Sequence, residues 1–216
     1  MGTLKLWAVG IDEVREIFSA NPEVAERLRT AAAARFRTDL PRQRGLLGRL
    51  GPLLRPTTDP AAPRPGVPGS DDVEDLLAGR HIPPQRLGPA WALLEFWIDT
   101  LSWGTGEWPL TTGGLKDLDF DLARARVPAR FGLSDLFTKG LGISLSLCEN
   151  LAAGYVRGEH AQQMAAAWVA GTPELEPANQ SVATGITGFL AHWPEWARLA
   201  EEHDRPEPDL VATFRG

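Results

Sequence analysis

Four of the eight tryptophans of this chain lie between Trp91 and Trp108, in the run WALLEFWIDTLSWGTGEW. Tryptophan is large and costly to leave in water, and it carries one N–H that needs a partner, so such a cluster marks a main core or an aromatic binding surface. The spacing separates the two. From Pro83-Pro84 to about Trp103 the pattern is helical, with Trp91, Leu94, Ile98 and Leu101 on one face and Leu93, Trp97 and Thr100 on the next. Only Glu95, Asp99 and Ser102 form a polar stripe, expected to be solvated. A helix apolar over most of its circumference is central, which puts Trp91 and Trp97 in the core. Beyond it, WGTGEWP reads as a tight turn whose glycines, threonine and glutamate sit between aromatic walls. Trp103, Glu107 and Trp108 are therefore candidates for a binding surface.

The remaining chain reads as helices around a few scattered strands. Thr3–Val9 is apolar on both faces and is expected inside a sheet. A short helix opens at Asp12, and another runs from Pro22 to about Thr38. Residues 41–69 hold seven prolines and five glycines, a density that supports neither a helix nor a central strand, and they read as an insertion or long loop. Its first half carries Leu46, Leu47, Leu50, Leu53 and Leu54, expected to lie on the protein. Helices are expected at about 71–77, over LKDLDFDLARARV, from Ser134 through Phe137, at 159–170, and at 178–203 with a bend near Pro194. The alternation in GISLSLC predicts a strand at 142–148, with Cys148 half buried in it. A further extended piece follows at 153–157, and 209–214 closes the chain as a strand. The sum is a mostly helical α+β single domain, with a small sheet of about four short strands that includes the N- and C-terminal ones.

Composition excludes several function classes. One cysteine allows neither an internal disulfide nor a multi-cysteine zinc site. The four histidines, His81, His160, His192 and His203, are far apart, so no metal is expected. No Gly-Lys-Ser/Thr or complete Gly-x-Gly-x-x-Gly appears, and no serine sits in a Gly-x-Ser-x-Gly elbow, so no cofactor and no hydrolase chemistry is indicated. No apolar run approaches the roughly 20 residues of a membrane span. The N-terminus meets Asp12 and Glu13 before any long apolar segment, unlike a secretory signal, and a cytoplasmic location is the expectation. From Arg27 to Arg64 nine arginines face two acids, leaving 13 basic and 26 acidic residues elsewhere. Aromatic residues are not interleaved with these arginines apart from Phe36, which argues for contact with the protein's own acidic surface or with an acidic partner over nucleic acid.

Tyr155, Arg157 and His160, with Glu159, form a polar group at a strand-to-helix junction and complete the list of candidate binding residues.

The last third, GYVRGEHAQQMAAAWVAG followed by ITGFLAHWPEWARLAEEHDR and PDLVATFRG, places a Gly-Tyr strand before an amphipathic helix, then an aromatic-rich helix and a closing strand. Together with the opening LKLWAVGIDEVREIF, this resembles the YfbM-like family of uncharacterised bacterial α+β proteins, over about the first 38 and last 65 residues. The resemblance implies the fold and brings no activity or catalytic residue.

The functional expectation is a non-enzymatic cytoplasmic protein-interaction module of immunity or regulatory type. One alternative is a small-molecule binder or enzyme with a cleft near Trp103 and Trp108, joined by Glu107, Tyr155, Arg157 and His160. The other is a nucleic-acid binder using the arginines of 27–55.

Overall fold

The computed structural model describes residues 2–36 and 66–216, so the stretch read as an insertion is described only from Gly66 to Gly69. Its five leucines, and Arg37, Arg42, Arg44, Arg49 and Arg55, lie outside the described residues.

The fold is α+β, built on one antiparallel sheet of four strands: β1 (Thr3–Val9), β2 (Gly104–Pro109), β3 (Leu151–Val156) and β4 (Asp209–Arg215), in the order β2-β1-β4-β3. The terminal strands are the two central ones. Their sequences explain this, because the runs Leu6–Val9 of β1 and Leu210–Ala212 of β4 are continuously apolar and can be covered on both faces, as a central strand requires. Register sets Leu4, Leu6 and Ala8 beside Phe214, Ala212 and Leu210 on one face, while Trp7 and Val211 share the other.

Contacts divide the chain into two compact units. The first comprises Met1–Glu16, Ile98–Ile143 and Glu149–Gly216, and contains the sheet. Its core joins the Leu4 face to α5 (Thr112–Arg124), α6 (Gly158–Gly171), α7 (Pro177–Leu190) and α8 (Trp193–Glu202), through buried Leu118, Met164, Trp168, Ile186 and Trp193. The Trp168 indole N–H donates to the Phe131 carbonyl at 2.7 Å, so this large ring is buried without leaving its one polar atom unpaired. On the other face the Trp7 indole donates to Asp99 Oδ1 at 2.6 Å, and Lys5 Nζ pairs with Asp99 Oδ2 at 2.8 Å. Asp99 is exposed, as expected of the polar stripe, and it also ties the end of the tryptophan helix to β1.

The second unit comprises Ile17–Trp97 and Ser144–Cys148. It holds α2 (Pro22–Phe36), α3 (Ser70–Leu77) and the part of α4 (Leu87–Leu101) up to Trp97. Trp91 and Trp97 are buried, as the apolar circumference of α4 requires. Their indoles donate to the Ser146 carbonyl (2.8 Å) and the Leu28 carbonyl (3.0 Å). Arg29 clamps Glu74 through two bonds of 2.7 and 3.0 Å, joining α2 to α3.

Three local expectations are corrected. Residues 142–148 form no strand, and Leu147 is exposed; alternation alone does not make a strand without a partner strand to bond, and the third strand of the chain is Leu151–Val156. The WGTGEWP segment is not a tight turn but contains β2. The last long helix is two helices, α7 and α8, with Pro194 in the first turn of the second, where its missing N–H does no harm.

Candidate functional site

The six candidate residues all belong to the sheet-containing unit, but they are not gathered into one cleft. Glu107 and Trp108 are on β2 and Tyr155 is on β3, the opposite edges of the sheet. Three strand spacings, roughly 14 Å, separate them. Trp108 and Tyr155 also face opposite ways. Trp108 lies beside Leu4 in register and Tyr155 beside Val211, on the two different faces. Trp103, just before β2, lies under the Arg205 guanidinium at 4.3 Å, and Arg205 in turn grips Glu13 with bonds of 2.8 and 3.1 Å. Tyr155 accepts a hydrogen bond from Arg15 at 3.3 Å, and His160 packs on Phe131 while its Nε2 meets the Arg130 carbonyl at 2.9 Å.

Arg157 lines a cavity of about 280 Å³, bordered by Gly10–Asp12, Gly158, Glu159 and Pro206–Asp209. Asp209 is its buried anchor. One carboxylate oxygen accepts from Ile11 N (3.1 Å) and Arg157 Nη1 (3.0 Å), the other from Gly158 N (3.2 Å). These bonds cap α6 and the short helix α1 (Ile11–Glu16), whose first N–H groups have no intrahelical acceptor. The carboxylate is committed to holding the sheet's end together, a structural task.

The edges of the sheet differ in what their backbones can do. On the β3 side the segment Leu133–Lys139 closes the edge. Tyr155 N donates to the Lys139 carbonyl at 3.4 Å, and a Cβ placed on Gly154 would lie 2.1 Å from the Leu136 carbonyl oxygen. Only glycine permits that approach.

β2 is open. Leu110 N donates to the Gly2 carbonyl at 3.0 Å, and alternate residues of an antiparallel strand face the same neighbour. Gly106 and Trp108 therefore turn their N–H and carbonyl groups toward β1, and Thr105 and Glu107 turn theirs away. Both residues are exposed, and among the described residues no acceptor meets either N–H. The Glu107 carboxylate also has no ion-pair partner among them, because Lys5, opposite it in register, is engaged by Asp99.

On the other face of β2 the side chains alternate glycine, glycine, tryptophan, and the space left by the glycines is filled by indoles. A Cβ on Gly104 would come within 2.2 Å of the Trp196 ring, and one on Gly106 within 2.2 Å of the Trp108 ring. Trp108 packs edge-on to Phe189 (5.9 Å), and Phe189 packs at a tilt on Trp196 (4.9 Å). Trp108 also crosses α7 at Gly185, whose Cβ would lie 2.6 Å from the indole nitrogen. Trp108 and Phe189 stay partly exposed, so an aromatic shelf runs beside the open edge, walled by α7. The N-terminus of α7 is fixed by buried Asp121, which accepts from Glu176 N (2.7 Å) and Asn179 Nδ2 (3.1 Å). The Glu176 backbone N–H, helped by Asn179 and Arg124, outweighs burial and holds this carboxyl below its ordinary pKa.

Sequence reasoning selected Glu107 and Trp108 but missed the strand that carries them. The signal was present, because Gly104, Gly106 and Trp108 alternate with Thr105, Glu107 and Pro109 at period two. Thr105, Phe189 and Trp196 were not selected; the last two are far along the chain and join the shelf only in the fold.

The sheet and its helical cover define an α+β protein with one closed and one open sheet edge. The chain belongs to the family described as a domain of unknown function, DUF7691, which it matches over residues 1–215. No curated protein matches the chain, and no solved structure does.

Proposed function

We propose that this protein is a non-enzymatic protein-interaction module, of regulatory or immunity type, working in the bacterial cytoplasm. Its partner contributes an extended segment that pairs with β2 as a fifth strand. The observation that carries the reading is the backbone of Thr105 and Glu107, unpaired among the described residues, beside the Trp108 and Phe189 shelf. Main-chain hydrogen bonds supply affinity in this mode of recognition, and side-chain pockets supply selectivity. Among the described residues no helix is long and apolar enough to cross a membrane. Kinship with the YfbM-like proteins is proposed at the level of fold only.

A small-molecule site built from all six residues first singled out has no common cavity to occupy. Of the arginines invoked for nucleic acid, Arg29 is committed to Glu74.

The test is selection of random displayed peptides on the full chain, followed by rebinding to Thr105→Pro. Proline there removes an outward N–H and leaves the bonds to β1 in place. Enriched peptides should lose about tenfold or more in affinity for the variant. If every enriched peptide binds the variant as well as the parent chain, β2 is not the docking edge and the reading fails.

A further inference from the structure

We infer that the segment received by β2 runs antiparallel to it and alternates apolar and other residues, with a lysine or arginine directly opposite Glu107. This rests on the interaction reading above and specifies its partner. A strand laid beside Gly104–Trp108 exchanges N–H and carbonyl bonds with Thr105 and Glu107, the two residues whose backbone faces outward. In such a pair the side chains opposite one another stand on the same face, with Cβ atoms about 5 Å apart. The residue opposite Glu107 therefore meets an exposed carboxylate that has no counter-charge among the described residues. Its neighbours on the incoming strand point to the other face. There Gly104 and Gly106 present no side chain, and the Trp108 indole with Phe189 offers a flat apolar surface to a branched or aromatic residue. Pro109 has no N–H, which limits the paired stretch at that end.

A second copy of this chain fits less well. β2 reads Gly-Thr-Gly-Glu-Trp-Pro and holds no cation. Two-fold pairing centred on Gly106 sets Glu107 opposite Thr105 of the copy, and pairing centred on Glu107 sets two carboxylates against each other, which is destabilising. The occupant that answers the charge is a cationic, alternating segment of a different protein.

The experiment is fluorescence anisotropy of three labelled, end-capped peptides with the full chain. All share Gly-Ser flanks; the centres are Val-Lys-Val-Thr-Val, Val-Glu-Val-Thr-Val, and Val-Val-Val-Lys-Thr, which keeps the composition of the first and breaks its alternation. The first should bind about fivefold or more tighter than the second, a difference that shrinks as salt rises. The third should bind more weakly than the first. Glu107→Lys should level or invert the charge preference, and Thr105→Pro should lower binding of the first peptide by about tenfold with the melting transition retained. Equal binding of the lysine and glutamate peptides, both still lost in Thr105→Pro, overturns the charge assignment and leaves the interaction reading standing. A dimer that Thr105→Pro converts to monomer overturns the assignment in favour of a second copy. Failure of all three peptides to bind at about 1 mM overturns both.

Discussion

β2 and β3 are edge strands of equal length in the same antiparallel sheet, yet their outer sides are managed in opposite ways. Along β3 the chain brings Leu133–Lys139 against the strand so closely that Gly154 admits no side chain, and the outward N–H of Tyr155 is used. Along β2 the outward groups of Thr105 and Glu107 are left to solvent, and the glycines instead admit indoles on one face. An exposed edge invites pairing with other chains, and proteins commonly cover, shorten or charge it. β2 is short, carries a carboxylate and ends in proline, devices that discourage indiscriminate pairing while leaving room for a partner that answers the charge. Glycine serves both edges, in one case for the approach of backbone and in the other for the approach of aromatic rings.

The contrast can be broken by substitution. Gly154→Ala should destabilise the protein most, by about 3 kcal/mol in chemical denaturation, because the new methyl meets a backbone carbonyl that cannot rotate away. Tyr155→Pro, measured against Tyr155→Ala, should cost about 2 kcal/mol, since the Lys139 carbonyl loses its donor. Thr105→Pro against Thr105→Ala should cost less than about 1 kcal/mol, because its N–H meets no acceptor among the described residues. Equal penalties for the two prolines would show that the edges are alike.

Acid should loosen the start of α7, the helix that walls the shelf. Asp121 has a lowered pKa in the folded state, so its contribution is complete above the unfolded carboxyl value of about 3.9 and is lost as pH falls below that toward the folded value. Amide exchange at the start of α7 should therefore accelerate, relative to β3, as pH is lowered through this window. Asp121→Asn should cost about 1 kcal/mol at neutral pH, the scale of a lost helix cap, and should flatten that acid dependence.

Much of this architecture was legible in sequence. Elements whose burial is dictated by their own composition, such as β1, β4 and the tryptophan face of α4, announce themselves because apolar residues recur at the period of the structure. β2 did not, because its glycines read locally as breaks. They are tolerated in a strand only because Trp196, some ninety positions away, and Trp108 occupy the space above them. The segment 142–148 shows the reverse: its pattern is that of a strand, but it pairs with none. Of the candidate site, Glu107 and Trp108 were found as a charged residue and an aromatic one in a flexible setting. The free hydrogen-bonding groups that give them meaning belong to the pairing of β2 with β1, and pairing is not written in either strand alone.

The most direct measurement is residue-resolved amide hydrogen exchange across β2, with and without the lysine-bearing alternating peptide. The free protein should exchange Thr105 and Glu107 about 100-fold faster than Gly106 and Trp108, and saturating peptide should slow those two amides to the rate of their neighbours. Four amides exchanging alike in the free protein, or Thr105 and Glu107 remaining fast in the saturated complex, would contradict the account.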